Sequence, residues 1–189
     1  LGIAERKERE RAEREKRITA TARLIAESEG WAAVTIRRLA EEIEYSQPVI
    51  YSHFENRDAI VAAVAVEGFA ELASALRQAA QGSSDRRTAL EAVAQAYLAF
   101  GRDHPALYEA MFTMPASLRF AEAETRPELK DAFAALAAVV APSRSDAEIA
   151  TETLWAALHG LTELERSNRI RPGARAERIA LVVRGLLDG

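Results

Sequence analysis

Residues 35–58 read TIRRLAEEIEYSQPVIYSHFENRD, and this stretch predicts two short helices meeting at a sharp turn. Thr35 can cap the free N–H groups of the first helix, which places Leu39 and Ile43 on one face at helical spacing and ends near Glu44. Ser46 is a second capping residue. Pro48 then falls in the first turn of the next helix, where a missing N–H costs nothing because that donor has no intrahelical partner.

At about 100° per residue, Ile50 and Phe54 point one way, and Pro48, Val49 and Ser52 the other, with Tyr51 and His53 alongside. One face packs and one is presented. The presented groups suit a DNA major groove: an amide at Gln47, small apolar surfaces at Pro48 and Val49 for thymine methyls, and hydroxyl and imidazole groups for phosphates. The competing reading is a helical hairpin inside a larger bundle, its polar face merely solvated.

The order of cap, turn, QPVIYSHF and a following Asn-Arg-Asp helix start resembles the DNA-binding domain of the tetracycline-repressor (TetR) family, through Thr35, Leu39, Ala40, Ser46, Tyr51, His53 and Phe54. The resemblance implies that Gln47, Pro48 and Val49 meet base edges and that Thr35, Tyr51 and His53 meet phosphates. It further implies that Arg37 reaches a base or the backbone, that Ser46 belongs to the same DNA-binding set, and that Arg57 clamps a phosphate. Two positions depart from the family pattern: Glu44 replaces the usual turn Gly, and Tyr45 the usual Val. A left-handed Glu costs on the order of 1 kcal/mol, so the turn geometry is the feature these departures bear on.

The whole chain agrees with a helical protein. Its 189 residues are 49% apolar, rich in Ala and only 6% aromatic, and its 9 Gly and 6 Pro stand mostly where helices would stop. The expected fold class is all-α, about nine helices: an N-terminal extension and three-helix DNA-binding domain over 1–57, then a larger ligand-binding and dimerisation domain over 58–189. With no Cys, neither a disulfide framework nor a thiolate metal site can form, and a cytoplasmic location is expected. No uninterrupted apolar run approaches the roughly 20 residues of a membrane span; the best is 133–141, and no membrane partner is expected. The net charge of −4 lies in the body, because residues 1–57 carry 11 basic and 11 acidic groups. A neutral head predicts a small non-specific DNA term.

Residues 5–17, ERKERERAEREKR, alternate in sign with 7 basic and 5 acidic groups, and predict a solvent-facing helical extension. It reads equally as a DNA-reaching arm or a frayed terminus. Ile18, Ala22, Ile25 and Ala26 make 16–29 a core helix ending at Gly30. From Asp58 as cap, a long helix runs to about Gln81 with Ile60, Val64, Phe69, Leu72 and Leu76 inward, connecting head to body. Further helices are expected over 86–103, 105–114, 127–142, 146–168 and 174–187, with 114–126 a loop.

Within YLAFGRDHPALYEAMF and the Trp155, His159, Gly160 motif, the body resembles the regulatory domain of a Trp-His-Gly TetR subgroup. The family resemblance implies a homodimer through the last two helices, for which Ile149, Leu154, Leu158, Leu161, Ile179, Val182, Val183 and Leu186 are the candidates. It also implies a small-molecule pocket, with Tyr97, Phe100, Tyr108, Met111, Phe112, Phe120, Trp155 and His159 as candidate lining. The three His residues show no metal spacing, His159 and Glu163 read as a structural pair, and no phosphate loop or nucleophile elbow occurs. No catalytic residue, metal or cofactor is expected. The expected function is a repressor that binds a palindromic double-stranded operator and is released by a small-molecule effector. The rival is a helical small-molecule or protein binding module without a transcriptional role.

Overall fold

The computed structural model describes residues 2–83, 85–114, 125–140 and 145–188. Among them the regular structure is all helical: α1 (Ile3–Glu29), α2 (Ile36–Ile43), α3 (Gln47–Tyr51), α4 (Arg57–Ala80), α5 (Arg86–Asp103), α6 (Pro105–Phe112), α7 (Pro127–Ala137), α8 (Ala147–Arg166) and α9 (Arg175–Leu187), with a 3-10 turn at Trp31–Ala33. Proline and glycine set several of the ends. Pro48 and Pro127 sit in first turns, and Gly30, at φ 84°, closes α1 by donating its N–H to the Ala26 carbonyl.

Two expected caps differ. Ser46 precedes α3 without a side-chain capping bond. At α4 the cap is Asn56, whose Oδ1 accepts from the Ala59 N–H at 2.9 Å, so the helix begins one residue before Asp58. The long helix also corrects the membrane argument: α4 is long and apolar enough to cross a bilayer by length and composition. A search for unbroken apolar runs misses it because Glu67, Glu71 and Arg77 are spaced along it. Its apolar length is used in packing, with Ile60, Val61, Val64, Ala65, Phe69, Leu72, Ala73 and Leu76 all buried.

The chain forms two compact units, 1–68 with 106–118, and 69–105 with 119–189. The boundary inside α4 lies eleven residues beyond the expected one at 57, and the sequence-distant α6 joins the first unit. There, Ile18, Ala22, Ile25, Trp31, Val34, Leu39, Ile43, Ile50 and Ile60 form the core. Three polar contacts hold α6 against it. The Trp31 indole N–H donates to the Ala106 carbonyl at 2.7 Å, while the Glu27 carboxylate accepts from the Ala106 and Leu107 N–H groups at 3.0 and 3.1 Å. A carboxylate at these otherwise unpaired first-turn donors also complements the helix dipole. Gly68 of α4 gives α6 room: a Cβ there would lie 2.6 Å from Met111 Sδ and 2.8 Å from Leu107 Cδ1.

In the second unit α5 packs on α8 and α9, and α7 on α8. Tyr97, Leu98, Leu154, Leu158, Ile179 and Val183 are fully buried or nearly so. Arg86 ties α5 to α9 and to the turn after α7, its guanidinium donating to the Val140 carbonyl at 3.1 Å and to that of Leu186 at 3.5 Å.

Candidate nucleic-acid interface

α2 and α3 are positioned by a turn whose chemistry the sequence put in question. Glu44 adopts the left-handed conformation, φ 58° and ψ 37°. The turn has the regular helix-ending form all the same: the N–H groups of Glu44 and Tyr45 both donate to the Ala40 carbonyl, the acceptor that a glycine-closed end also uses. The Glu44 side chain is exposed, and the cost is conformational. Tyr45 has its own use, its ring stacking under the Arg17 guanidinium at 5.3 Å.

Thr35 caps α2, its Oγ1 accepting from the Arg38 N–H at 3.1 Å. Ile50 of α3 is fully buried, and this anchors a five-residue helix too short to be stable alone. Around that anchor Ser46, Gln47 and Pro48 are exposed, Val49 is partly exposed, and Tyr51 keeps 52% of its surface accessible. Arg37 is exposed and paired with Glu41 at 2.9 Å; a pair this exposed is worth little and exchanges readily for a phosphate.

Two expected contacts are corrected. His53 does not present its ring: the side chain is 6% exposed and its Nδ1 lies 3.3 Å from Glu15 Oε1, so it ties the end of α3 to α1. Arg57 turns inward, Nε donating to the Val34 carbonyl at 2.8 Å and Nη2 to the Trp31 carbonyl at 2.6 Å. It braces the start of α4 against the 3-10 turn instead of reaching for a phosphate. Neither contact could be read from spacing, since the acceptors are backbone oxygens more than twenty residues away and a glutamate in a run of alternating charge.

In the second unit, several predicted positions serve the protomer's own core. Leu154, Leu158, Ile179, Val183 and Leu186 are buried within it and have little or no surface to offer a second chain, which corrects their assignment to a dimer interface. Leu161 and Val182 are partly accessible, and Ile149 is 66% exposed. Among the described residues of this unit the large apolar side chains left exposed are Ile149, Leu164 and Leu181, which periodicity passed over in the last two cases because the buried stripe is the stronger one.

The expected pocket lining divides between the units. Tyr108, Met111 and Phe112 belong to the first, the first two buried and Tyr108 packed on Phe112 with ring centroids 4.6 Å apart. Tyr97, Phe100, Trp155 and His159 belong to the second, and Phe120 lies outside the described residues. The Trp155 indole donates to the buried Tyr97 hydroxyl at 3.1 Å, and Phe133 meets Trp155 edge-on at 6.4 Å. Beside this cluster an apolar groove of about 360 Å³ runs between α7 and α8, lined by Phe133, Ala137, Ala138, Ala147, Glu148 and Thr151, residues that sequence reasoning did not single out. Burial holds the His159 imidazole below its usual pKa, Glu163 opposing the shift and Arg166 reinforcing it. Among the described residues no group of three or more His, Asp or Glu side chains could hold a metal ion.

A helical pair with a buried second-helix anchor and an exposed amide, proline, valine and tyrosine defines a helix-turn-helix head on an all-helical body. Residues 18–64 match the bacterial regulatory proteins of the tetR family, and residues 90–186 the tetracyclin repressor-like C-terminal domain. The chain belongs to the TetR family. Its curated relatives include the HTH-type transcriptional regulator Rv0681 of Mycobacterium tuberculosis, 29% identical over 140 residues, covering 72% of this chain and 63% of that one. YobS of Bacillus subtilis, likewise an HTH-type transcriptional regulator, is 32% identical over 98 residues, 51% of this chain and 50% of that one. The matches thus span less than two thirds of either relative. Among solved structures, a Rhodococcus protein of unknown function aligns with TM-score 0.75 at 22% identity over 93% of both chains. TetR from Acinetobacter baumannii, solved in complex with minocycline, aligns with TM-score 0.67 at 19% identity over 90% of this chain and 94% of that one. At such identities the structures share the fold.

Proposed function

We propose that this protein acts in the cytoplasm as a homodimeric transcriptional repressor, without enzymatic activity, that binds a palindromic operator through α3 and is released by a small-molecule effector. The observation that carries the DNA reading is the exposed edge of α3. Gln47, Pro48, Val49 and Tyr51 surround the buried Ile50, so the helix is fixed by one face and free to read bases with the other. Thr35, Arg37 and Tyr51 contact phosphates, while His53 and Arg57 hold the reading helix and its follower in place.

The dimer forms through the outer faces of α8 and α9. Ile149, Ala156, Gly160 and Leu164 follow one helical stripe, and Leu181 and Gly185 another, all exposed or part-exposed. Apart from their own helices, no described residue lies within 4 Å of where a Cβ on Gly160 or Gly185 would be. A mid-helix glycine costs about 0.5–1 kcal/mol relative to alanine, and close approach of a second helix is a use that offsets it. Pairing fixes the spacing of two heads, which a recognition helix reading only a few base pairs needs for specificity.

The effector binds in the second unit near Tyr97, Trp155 and His159, where aromatic surface lies beside a small number of polar groups. It acts only by binding the DNA-competent and released states with different affinity. The test is Tyr51→Ala. With the side chain half exposed, folding stability should change by no more than about 0.5 kcal/mol and the dimer should persist, while operator affinity falls at least tenfold. A variant that binds DNA as tightly as the unaltered chain would contradict the assignment of α3.

A further inference from the structure

α1 carries a charge pattern that the reading helix leaves unexplained. Its residues 3–17 precede the first buried side chain, Ile18, a length of about 22 Å at 1.5 Å per residue. The buried stripe Ile25, Ala22, Ile18 continues toward the N-terminus, at the same spacing of three or four residues, through Arg14, Arg11 and Lys7. Where the stripe leaves the core it turns from apolar to cationic. Glu5 and Glu13 fall on the far side at about 100° per residue, while Glu8 and Glu10 flank the stripe, Glu10 lying 3.8 Å from Arg6.

Two contacts establish which way this stripe looks. Glu15, on one side of it, meets His53 at 3.3 Å just after α3, and Arg17, on the other side, covers Tyr45 just before α3. The stripe between them therefore faces the α3 segment, and the exposed turns carry it past that segment. Arg11 shares Glu15 at 2.9 Å in a largely exposed pair; Lys7 and Arg14 have no carboxylate partner among the described residues. From Lys7 to Arg14 the helix rises about 10 Å, matching about three phosphates of one DNA strand at 3.4 Å each. The stripe lacks the apolar side chains that a partner helix would bury.

We propose that Lys7, Arg11 and Arg14 form a second DNA-binding surface, holding the phosphate backbone of duplex beside the bases read by α3. The proposal rests on the operator-binding reading above. Its test is the full chain carrying Lys7→Gln, Arg11→Gln and Arg14→Gln, three exposed positions at which Gln keeps helix propensity. Site selection from random duplexes should recover the same sequence as for the unaltered chain. The slope of log affinity against log salt should become shallower by about 0.9 for each phosphate that is no longer neutralised, and backbone protection from hydroxyl radicals should disappear outside the α3 footprint. A control carrying Arg11→Lys and Arg14→Lys should keep most of both. An unchanged slope and footprint in the triple Gln variant overturns this proposal alone; failure of the unaltered chain to select any sequence overturns the operator reading and this one with it.

Discussion

Glu44 shows how a single residue can break a local rule while the fold is kept. Its φ of 58° belongs to a conformation that a residue with a Cβ adopts at a cost of roughly 1 kcal/mol, yet both N–H groups at the turn are satisfied by the Ala40 carbonyl. Glu44→Gly should therefore stabilise the head, by up to about 1 kcal/mol less the extra freedom glycine gives the unfolded chain. Urea unfolding of the two proteins measures it, and a less stable Gly variant would mean that the glutamate side chain makes a stabilising interaction. That the turn at Glu44 was unusual was legible only through the family resemblance, in which the glutamate stands where the turn usually has glycine. The inward turn of Arg57 was not legible, because an arginine beside a helix start reads the same whether its donors meet phosphates or the carbonyls of Trp31 and Val34.

At the scale of elements, α6 approaches α4 closely at Gly68. Gly68→Ala would place a methyl 2.6 Å from Met111 Sδ and 2.8 Å from Leu107 Cδ1, and both neighbours are buried, Leu107 completely. Such overpacking costs typically about 1–3 kcal/mol. Thermal melting should show the drop in stability, with operator affinity falling in parallel if the strain reaches α2 and α3. A variant as stable as the parent would show that Leu107 and Met111 can shift without cost. Helix ends were the most readable elements, since Pro48, Pro105 and Pro127 start helices and Gly30 ends one. The membership of α6 in the first unit was hidden, because Glu27 and the N–H groups it caps lie 79 and 80 residues apart in sequence. Periodicity in α8 and α9 found the more apolar stripe, and that stripe is the protomer's own core. The outer faces, with Ala156, Gly160 and Gly185 among their residues, carry too weak a hydrophobic signal to be ranked first.

At the scale of the molecule, the charge distribution sets the balance between specific and general DNA binding. A chain of net charge −4 whose first 57 residues are neutral gains little from long-range attraction, so recognition has to come from well-placed contacts on α3 and on the cationic stripe of α1. Two heads held in a dimer would double those contacts and demand a two-fold site. The most direct measurement of the central claim is selection of bound sequences from random duplex DNA by the purified, folded dimer, followed by titration of the recovered site at two salt concentrations. The account predicts a palindrome with half-sites about one helical turn apart, bound less tightly when salt is raised or when one half-site is scrambled. Recovery of no preferred sequence, by protein whose fold and dimer are verified, would contradict it.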